Sequence, residues 1–144
     1  MKPKEIILNA SSSYVKDGNV VNKVSASTSK GNFLKQFENE GLKVKDVAGA
    51  EISDANFVGT GTSVELYDGE TLVDSILVVV LGDIDGNGII DTTDYLRVKS
   101  AFLGTMNLDA SQTLAADVDG NGYIDGTDYM RIKGHFLGTF VIGA

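Results

Sequence analysis

Aspartate is concentrated in two short stretches of this chain. Residues 82–99 read GDIDGNGIIDTTDYLRVK and contain four aspartates, Asp83, Asp85, Asp91 and Asp94, with glycines among them. Two carboxylates about 4 Å apart repel each other by about 1 kcal/mol even at the dielectric constant of water, and by more near a protein surface. Four carboxylates in one folded loop therefore call for a positive charge among them.

The same pattern occurs again 34 residues further along the chain. Residues 82–105 align without gaps to residues 116–139, and 16 of the 24 positions are identical. A period of 34 residues is also that of tetratricopeptide repeats. Half of each unit here, however, is an Asp- and Gly-rich loop rather than a second helix. The chain therefore carries two copies of one loop–helix unit.

Each copy reads D-x-D-G-N-G-x-x-D-x-x-D, which matches the ligand spacing of an EF-hand calcium loop. That loop takes ligands from positions 1, 3, 5, 7, 9 and 12 and has glycine at position 6. Oxygen ligands without Cys or His favour Ca²⁺ over a transition metal, and so many carboxylates favour it over Mg²⁺. We expect two Ca²⁺ ions. Their ligands, with a backbone carbonyl at the seventh position, are Asp83, Asp85, Asn87, Ile89, Asp91 and Asp94, and then Asp117, Asp119, Asn121, Tyr123, Asp125 and Asp128.

The twelfth position departs from the EF-hand pattern, because Asp94 and Asp128 stand where an EF-hand has Glu. Asp is one methylene shorter, so the backbone must shift to bring both carboxylate oxygens to an ion. The alternative interpretation is a pair of solvated Asx turns. One such loop could arise by chance, but two loops with all six positions filled favour calcium.

The hydrophobic pattern becomes helical after each loop. In each copy, two aromatic residues and one β-branched residue fall on one helical face and predict two helices packed together. These residues are Tyr95, Val98 and Phe102, and then Tyr129, Ile132 and Phe136. Gly104 and Gly138 are suitable C-terminal stops. Between the copies, residues 108–116 predict a short helix capped by Asp109.

A second face of each helix carries apolar side chains beside lysine. It is formed by Leu96, Lys99 and Leu103 in the first copy and by Met130, Lys133 and Leu137 in the second. Exposed leucine or methionine beside lysine suits a surface that binds a partner protein. The alternative is that the fold itself covers both faces.

The first loop directly follows an apolar strand, residues 76–81, and so lacks the helix that precedes an EF-hand loop. In this it resembles the dockerin family, of a type I-like kind, whose members carry two such loop–helix segments and a short apolar tail. The resemblance covers residues 82–144, where FLGT closes both helices. It implies calcium-dependent binding to a cohesin domain of a scaffold protein. Such binding assembles an enzyme or scaffold subunit into an extracellular polysaccharide-degrading multi-enzyme complex.

The resemblance also implies which residues meet the cohesin. In dockerins these are the two residues before the last loop aspartate and the outer face of the following helix. Carried over, they are Thr92, Thr93, Leu96, Lys99, Ser100 and Leu103, and then Gly126, Thr127, Met130, Lys133, Gly134 and Leu137. Near-symmetric dockerins can bind in two orientations. Because the copies here differ at several of these positions, we expect one preferred helix.

Residues 1–81 predict a compact β-rich α+β module, sandwich-like or grasp-like, that precedes the all-α domain 82–144. One helix is expected over residues 29–41. Strands are expected over residues 5–8, 19–25, 42–47, 62–67 and 72–80. No Pro-, Ser- or Gly-rich spacer separates the two parts, so we expect a fixed relative orientation. The first part resembles, less specifically, the X modules that precede some dockerins, which implies a supporting role.

Composition and charge exclude several classes of protein. The chain has 144 residues, of which 42% are hydrophobic, and a formal net charge of −8, which disfavours nucleic acid and anionic membranes as partners. No apolar run is long enough to span a bilayer, and the apolar N-terminal stretch is too short for a signal peptide. The chain is therefore expected to be either intracellular or an excised piece of a larger secreted protein. The dockerin resemblance implies the secreted alternative, and we expect a monomer when free.

Three other functions are less consistent with this sequence. A calcium sensor or buffer would also use these loops, but the missing first helix and the Asp at position 12 argue against it. A carbohydrate-binding module would need exposed aromatics, and residues 1–81 offer only Tyr14 and Tyr67 besides three Phe expected in the core. Catalysis is the weakest alternative. His135 is the only His, and the serines at positions 11–13 have no nearby base.

Overall fold

The computed structural model describes residues 5–142, so the outer ends of the two expected domains, residues 1–4 and 143–144, lie outside the described residues. In chain order the elements are β1 (Val15–Asp17), β2 (Val20–Val24), α1 (Lys30–Leu34), β3 (Lys43–Lys45), β4 (Ser63–Asp68), β5 (Thr71–Val80), α2 (Thr92–Phe102), α3 (Ala110–Ala116) and α4 (Gly126–Leu137). Strands come first and three helices follow, which confirms the α+β class in this coarse form.

The strands form one mixed sheet in the order β1-β2-β5-β4-β3. The central pair β2–β5 is parallel and the other pairs are antiparallel. Because residues 5–142 form a single sheet rather than two facing sheets, the sandwich-like alternative is wrong. The ten-residue strand β5 lies in the middle, and its last residues, Val78–Val80, are fully buried.

The local predictions for this half were partly correct. Four of the five expected strands are present within a few residues, but residues 5–8 form no strand, and Leu8 makes only an isolated bridge to Phe37. The helix expected over 29–41 is present only as α1, capped by the Ser29 hydroxyl. Phe33 and Phe37 are both buried with their rings 5.1 Å apart, although only Phe33 is helical. The bridge to Leu8 fixes Phe37 in a non-helical position.

Two separate clusters of buried side chains lie on either side of the end of β5. The first cluster joins the inner face of the sheet to Ile6, Phe33 and Phe37. The second cluster is built from Ile84, Ile90, Val98, Ala116, Ile132 and Ile142. Ala26 is partly buried against both clusters. The two halves are therefore in direct contact around the point where the chain leaves β5.

Each of the three C-terminal helices begins directly after an aspartate, of which Asp109 was predicted as a cap. Asp91, Asp109 and Asp125 are the N-caps of α2, α3 and α4, and each accepts a hydrogen bond from a backbone N–H of the first turn. Helices α2 and α4 pack together through Val98 and Ile132, which are fully buried. Phe102 is 44% exposed, so the predicted apolar face is core only in part. Within residues 5–142, no helix is long and apolar enough to cross a membrane.

Candidate metal centre and docking face

The first acidic loop, residues 83–94 and called loop 1 below, brings three aspartates into one cluster. Ligand oxygens of Asp83, Asp85 and Asp94 lie within 4.8 Å of one another, and Asp83 and Asp94 are fully buried. These are positions 1, 3 and 12 of the loop. Such a cluster of carboxylate oxygens, entered from strand β5 and continued by helix α2, has the donor set that Ca²⁺ prefers.

Backbone N–H groups hold these carboxylates in place. Asp94 accepts from Ile84 at 2.8 Å, from Asp85 at 3.0 Å and from Asp91 at 3.0 Å. Its bond to Asp91 completes a capping box at the start of α2. The short side chain at the twelfth position therefore links the loop to the helix, a role that the sequence analysis missed. The sequence contains the evidence for this role, because Asp91 and Asp94 are separated by the spacing of a capping box.

The second acidic loop, residues 117–128 and called loop 2 below, repeats this arrangement. Oxygens of Asp117, Asp119 and Asp128 lie within 4.8 Å of one another. Asp128 accepts from Asp119 at 3.2 Å and from Asp125 at 2.9 Å, which caps α4 in the same way. One oxygen of Asp117, Oδ1, is buried and has no hydrogen-bond partner in the described part of the chain. A bound cation would satisfy this oxygen, so the residues present fit a metal ion.

The remaining predicted ligands lie outside the two acidic clusters. Asp91 and Asp125 cap their helices by accepting from Thr93 and Thr127, each at 3.1 Å. The amide oxygen of Asn87 accepts from Ile89 and that of Asn121 accepts from Tyr123, both at 2.9 Å. The side chains of Ile89 and Tyr123 are exposed. The side chains at positions 5 and 9 of each loop are therefore already oriented by hydrogen bonds to backbone N–H groups of the loop and the following helix.

Burial makes the clustered carboxylates hard to ionise without a cation. It raises the pKa of Asp83 to about 7, and it raises the pKa of Asp94 to about 8 with a further contribution from neighbouring carboxylates. In loop 2 burial raises the pKa of Asp128 to about 6. The hydrogen bond from the Asn121 side chain instead lowers the pKa of Asp125. A divalent cation would supply the charge that stabilises the ionised form of the buried groups.

The second face of α2 and α4 is open to solvent over most of its length. Leu96, Leu103, Met130 and Leu137 are all more than half exposed. Lys99 and Lys133, one from each helix, both lie over the ring of Tyr95, at 5.7 and 5.8 Å from its centroid. The predicted lysines of the two copies therefore meet at one place between the helices.

Gly134 differs from the other predicted contact residues, because the structure buries it. A Cβ at this position would lie 2.9 Å from Cβ of Phe140 and 3.2 Å from Oγ1 of Thr139. These two residues follow α4 and border an open groove of about 510 Å³ beside Thr127 and Met130. Thr139 and Phe140 are not among the predicted contact residues, because the sequence marks them only as part of a short apolar tail.

The residues considered for other functions have structural roles. His135 accepts through Nδ1 from the N–H of Ile142 at 3.1 Å, which fixes Ile142 against α4. Tyr14 stacks on Phe33, with ring centroids 5.8 Å apart. Lys43 lies over the ring of Tyr67 at 4.9 Å. Both tyrosines are thus engaged within the fold, which disfavours a sugar-stacking site at either ring.

The fold and the site together define a mixed α+β protein with two acidic loop–helix clusters. A family model for the type I dockerin domain matches residues 81–137. A solved chain, from a complex of the third cohesin ScaC with a mutated ScaB dockerin of Acetivibrio cellulolyticus, is 35% identical, with a TM-score of 0.42. The match covers 45% of this chain and 93% of that chain. No curated protein matches.

The chain belongs to the dockerin family through residues 81–137, which are a type I dockerin domain. Dockerins are non-catalytic, calcium-binding modules of secreted complexes, so this region is not an enzyme.

Proposed function

We propose that residues 82–144 bind two Ca²⁺ ions and dock onto a cohesin domain of a scaffold protein. The observation that carries this proposal is the pair of aspartate triads at equivalent positions of the repeat, each joined to a helix with an exposed apolar face. The solved relative comes from a dockerin–cohesin complex with a type I interaction. By this proposal the chain assembles a secreted subunit into an extracellular polysaccharide-degrading complex.

Calcium would act by completing the fold of this domain. A domain of about 60 residues rarely supplies enough apolar burial to be stable alone. Neutralising the two triads would remove the repulsion within each loop and fix the first turns of α2 and α4, because Asp94 and Asp128 of the triads complete the capping boxes of those helices. The ligands would be the twelve predicted residues, with the clustered triads contributing most of the charge.

Residues 1–81 would form a supporting X module, with the domain boundary at residues 81/82. The separate buried cluster of the sheet supports this division. The direct contacts between the halves favour a fixed orientation rather than a flexible linkage. The contact face would comprise the predicted residues of α2 and α4 other than Gly134, together with Thr139 and Phe140 at the border of the groove.

Binding of the whole chain to a panel of cohesin domains, in calcium and in chelator, tests the proposal. We expect tight binding to one class of cohesin that disappears in chelator and returns with excess calcium. If two calcium ions bind but no cohesin does, the docking function is wrong and a calcium sensor becomes the better explanation. If no calcium binds, both parts of the proposal fail.

A matched pair of substitutions tests the docking face and its symmetry. Leu103→Asp, at the C-cap of α2, and Leu137→Asp, in the last turn of α4, place a charge at equivalent exposed positions, and Leu72→Asp near the start of β5 is the control. We expect one of the two helix variants to lose most cohesin binding while the other and the control retain it. Equal small losses from both would instead indicate two interchangeable orientations, and no loss from either would exclude this face.

A further inference from the structure

We propose that the N-terminal module positions loop 1, so that loop 1 binds calcium more tightly than loop 2. The proposal rests on the proposed calcium sites and adds an order of binding to them. The contacts that carry it come from residues 57–60 and from Ser27, which lie directly against loop 1. In the described residues, no hydrogen bond joins loop 2 to residues 5–81.

Two backbone N–H groups of the N-terminal half donate into loop 1. The N–H of Thr60 donates to Oδ2 of Asp83 at 3.1 Å, and the N–H of Ser27 donates to the carbonyl of Gly88 at 2.7 Å. Thr60 is itself held by its hydroxyl, which donates to the carbonyl of Val80 and accepts from its N–H. Because Val80 ends β5, the donor to Asp83 is fixed by the sheet.

Glycines permit this close contact on both sides. A Cβ at Gly59 would lie 2.0 Å from the carbonyl oxygen of Gly86, and a Cβ at Gly88 would lie 2.6 Å from Cβ of Phe57. The φ of Gly59 is outside the left-handed region, so only the close approach requires glycine there. In loop 2 a Cβ at Gly120 or Gly122 would meet nothing within 4 Å.

The contact with the N-terminal half changes the hydrogen bonding of the first aspartate in loop 1. Asp83 accepts four backbone N–H groups, from Thr60, Gly86, Asn87 and Gly88. Among the described residues, the equivalent Asp117 accepts only one, from Gly122, and its other oxygen has no partner there. Binding an ion to loop 1 therefore orders less of the chain than binding one to loop 2, and a preorganised site binds its ligand more tightly.

This difference gives the docking domain an order of assembly. Calcium at low concentration would occupy loop 1 and fix the start of α2 first. Loop 2, and with it the first turn of α4, would need more calcium. As calcium falls, α4 would lose its fixed start before α2 does.

A calcium titration of the whole 144-residue chain, followed by NMR, tests this order. The amide resonances of Gly88 and Gly122 are matched reporters, because both donate to the first aspartate of their own loop at 2.9 Å. We expect the dissociation constant at loop 1 to be lower by about tenfold or more. Equal constants, or tighter binding at loop 2, would overturn the proposal while leaving the calcium sites intact.

Gly59→Ala removes the close approach without changing any loop residue. We expect it to weaken calcium binding at loop 1 by about tenfold and to change loop 2 by less than about twofold. Gly31→Ala is the matched control, since its Cβ would meet only ordinary contacts, the nearest at 3.6 Å. An equal loss at both loops would indicate a general loss of stability rather than positioning, and would count against the proposal.

A measurement on the unsubstituted chain keeps the test independent of how Gly59→Ala folds. In calcium-free protein, amide hydrogen exchange at Gly86 and Gly88 should be slower than at Gly120 and Gly122 by about tenfold or more. This readout involves no bound metal and no cohesin. Equal exchange at the two pairs would mean that the N-terminal module does not hold loop 1, and the proposal would be wrong.

Discussion

Loop 1 and loop 2 are close to identical in sequence but differ in their surroundings. Loop 1 lies against the N-terminal sheet, with its first aspartate fully buried and four N–H donors around it. Loop 2 has open space around Gly120 and Gly122, and Asp117 has a buried oxygen that no donor within residues 5–142 reaches. The same ligand pattern can therefore form two sites that differ in preorganisation. The N-terminal half of the chain holds the ligands of loop 1 in place but not those of loop 2.

Removing calcium should have the largest effect, and it should affect the helical half of the molecule much more than the sheet. In chelator we expect cohesin binding to fall below detection and the far-UV circular dichroism of α2 and α4 to weaken, because the triads then repel. The sheet, which has its own buried cluster, should keep its amide protection. Unchanged helical signal and unchanged cohesin binding in chelator would contradict a structural role for calcium.

Substituting the first aspartate of each loop should have the next largest effect. Asp83→Ala and Asp117→Ala should each weaken calcium binding at their own loop by about 100-fold or more, since each removes a charged ligand. Asp83→Ala should also disturb the sheet, because Thr60 then loses its acceptor. Calorimetric titration and amide exchange at Thr60 measure these effects. Near-normal cohesin binding by both variants would rule out calcium-dependent docking.

Matched glycine substitutions isolate the effect of the surroundings. Gly86 and Gly120 occupy the same loop position with φ of +81° and +72°. Gly120→Ala should cost about 1 kcal/mol from the left-handed conformation alone. Gly86→Ala should cost about 1–3 kcal/mol more, because its Cβ would lie 2.6 Å from the carbonyl oxygen of Thr60. Chemical denaturation in calcium gives both values, and equal costs would show that the contact is not close in solution.

The last prediction concerns the pH dependence of the calcium-free protein. Folding raises the pKa of Asp83 to about 7, of Asp94 to about 8 and of Asp128 to about 6, from 3.8. The folded state therefore binds more protons than the unfolded state between about pH 4 and pH 8, and its stability should fall as pH rises through that range. We expect the Tm to drop by several degrees from pH 5 to pH 8 without calcium.

Saturating calcium is the control for the pH experiment. Bound Ca²⁺ stabilises the ionised carboxylates, so the loss of stability with rising pH should disappear or reverse. A Tm that rises with pH in calcium-free protein would mean that the loop carboxylates are not buried in that state.

Much of this protein follows from local sequence. The aspartate spacing predicts the residues of both triads, and Asp109 is predicted as the cap of α3, because loop turns and helix caps depend on residues a few positions apart. The apolar run before Gly82 predicts strand β5, and period-2 patterns predict three more strands. The helix expected over 29–41 shows the limit of local reasoning. Phe37 has helical spacing, but its bridge to Leu8 removes it from the helix.

The difference in contacts between loop 1 and loop 2 arises from the tertiary structure. No local pattern marks Gly59 or Thr60 as neighbours of loop 1, because more than 20 residues separate Thr60 from Asp83 and only the pairing of β4 with β5 brings them together. The cover over Gly134 likewise depends on the path of the residues after α4. The order of residues within each loop is enough to specify which of them can bind calcium, because ligand spacing is a short-range property. The unequal support of the two loops is a long-range property, and only the packing of the whole chain produced it.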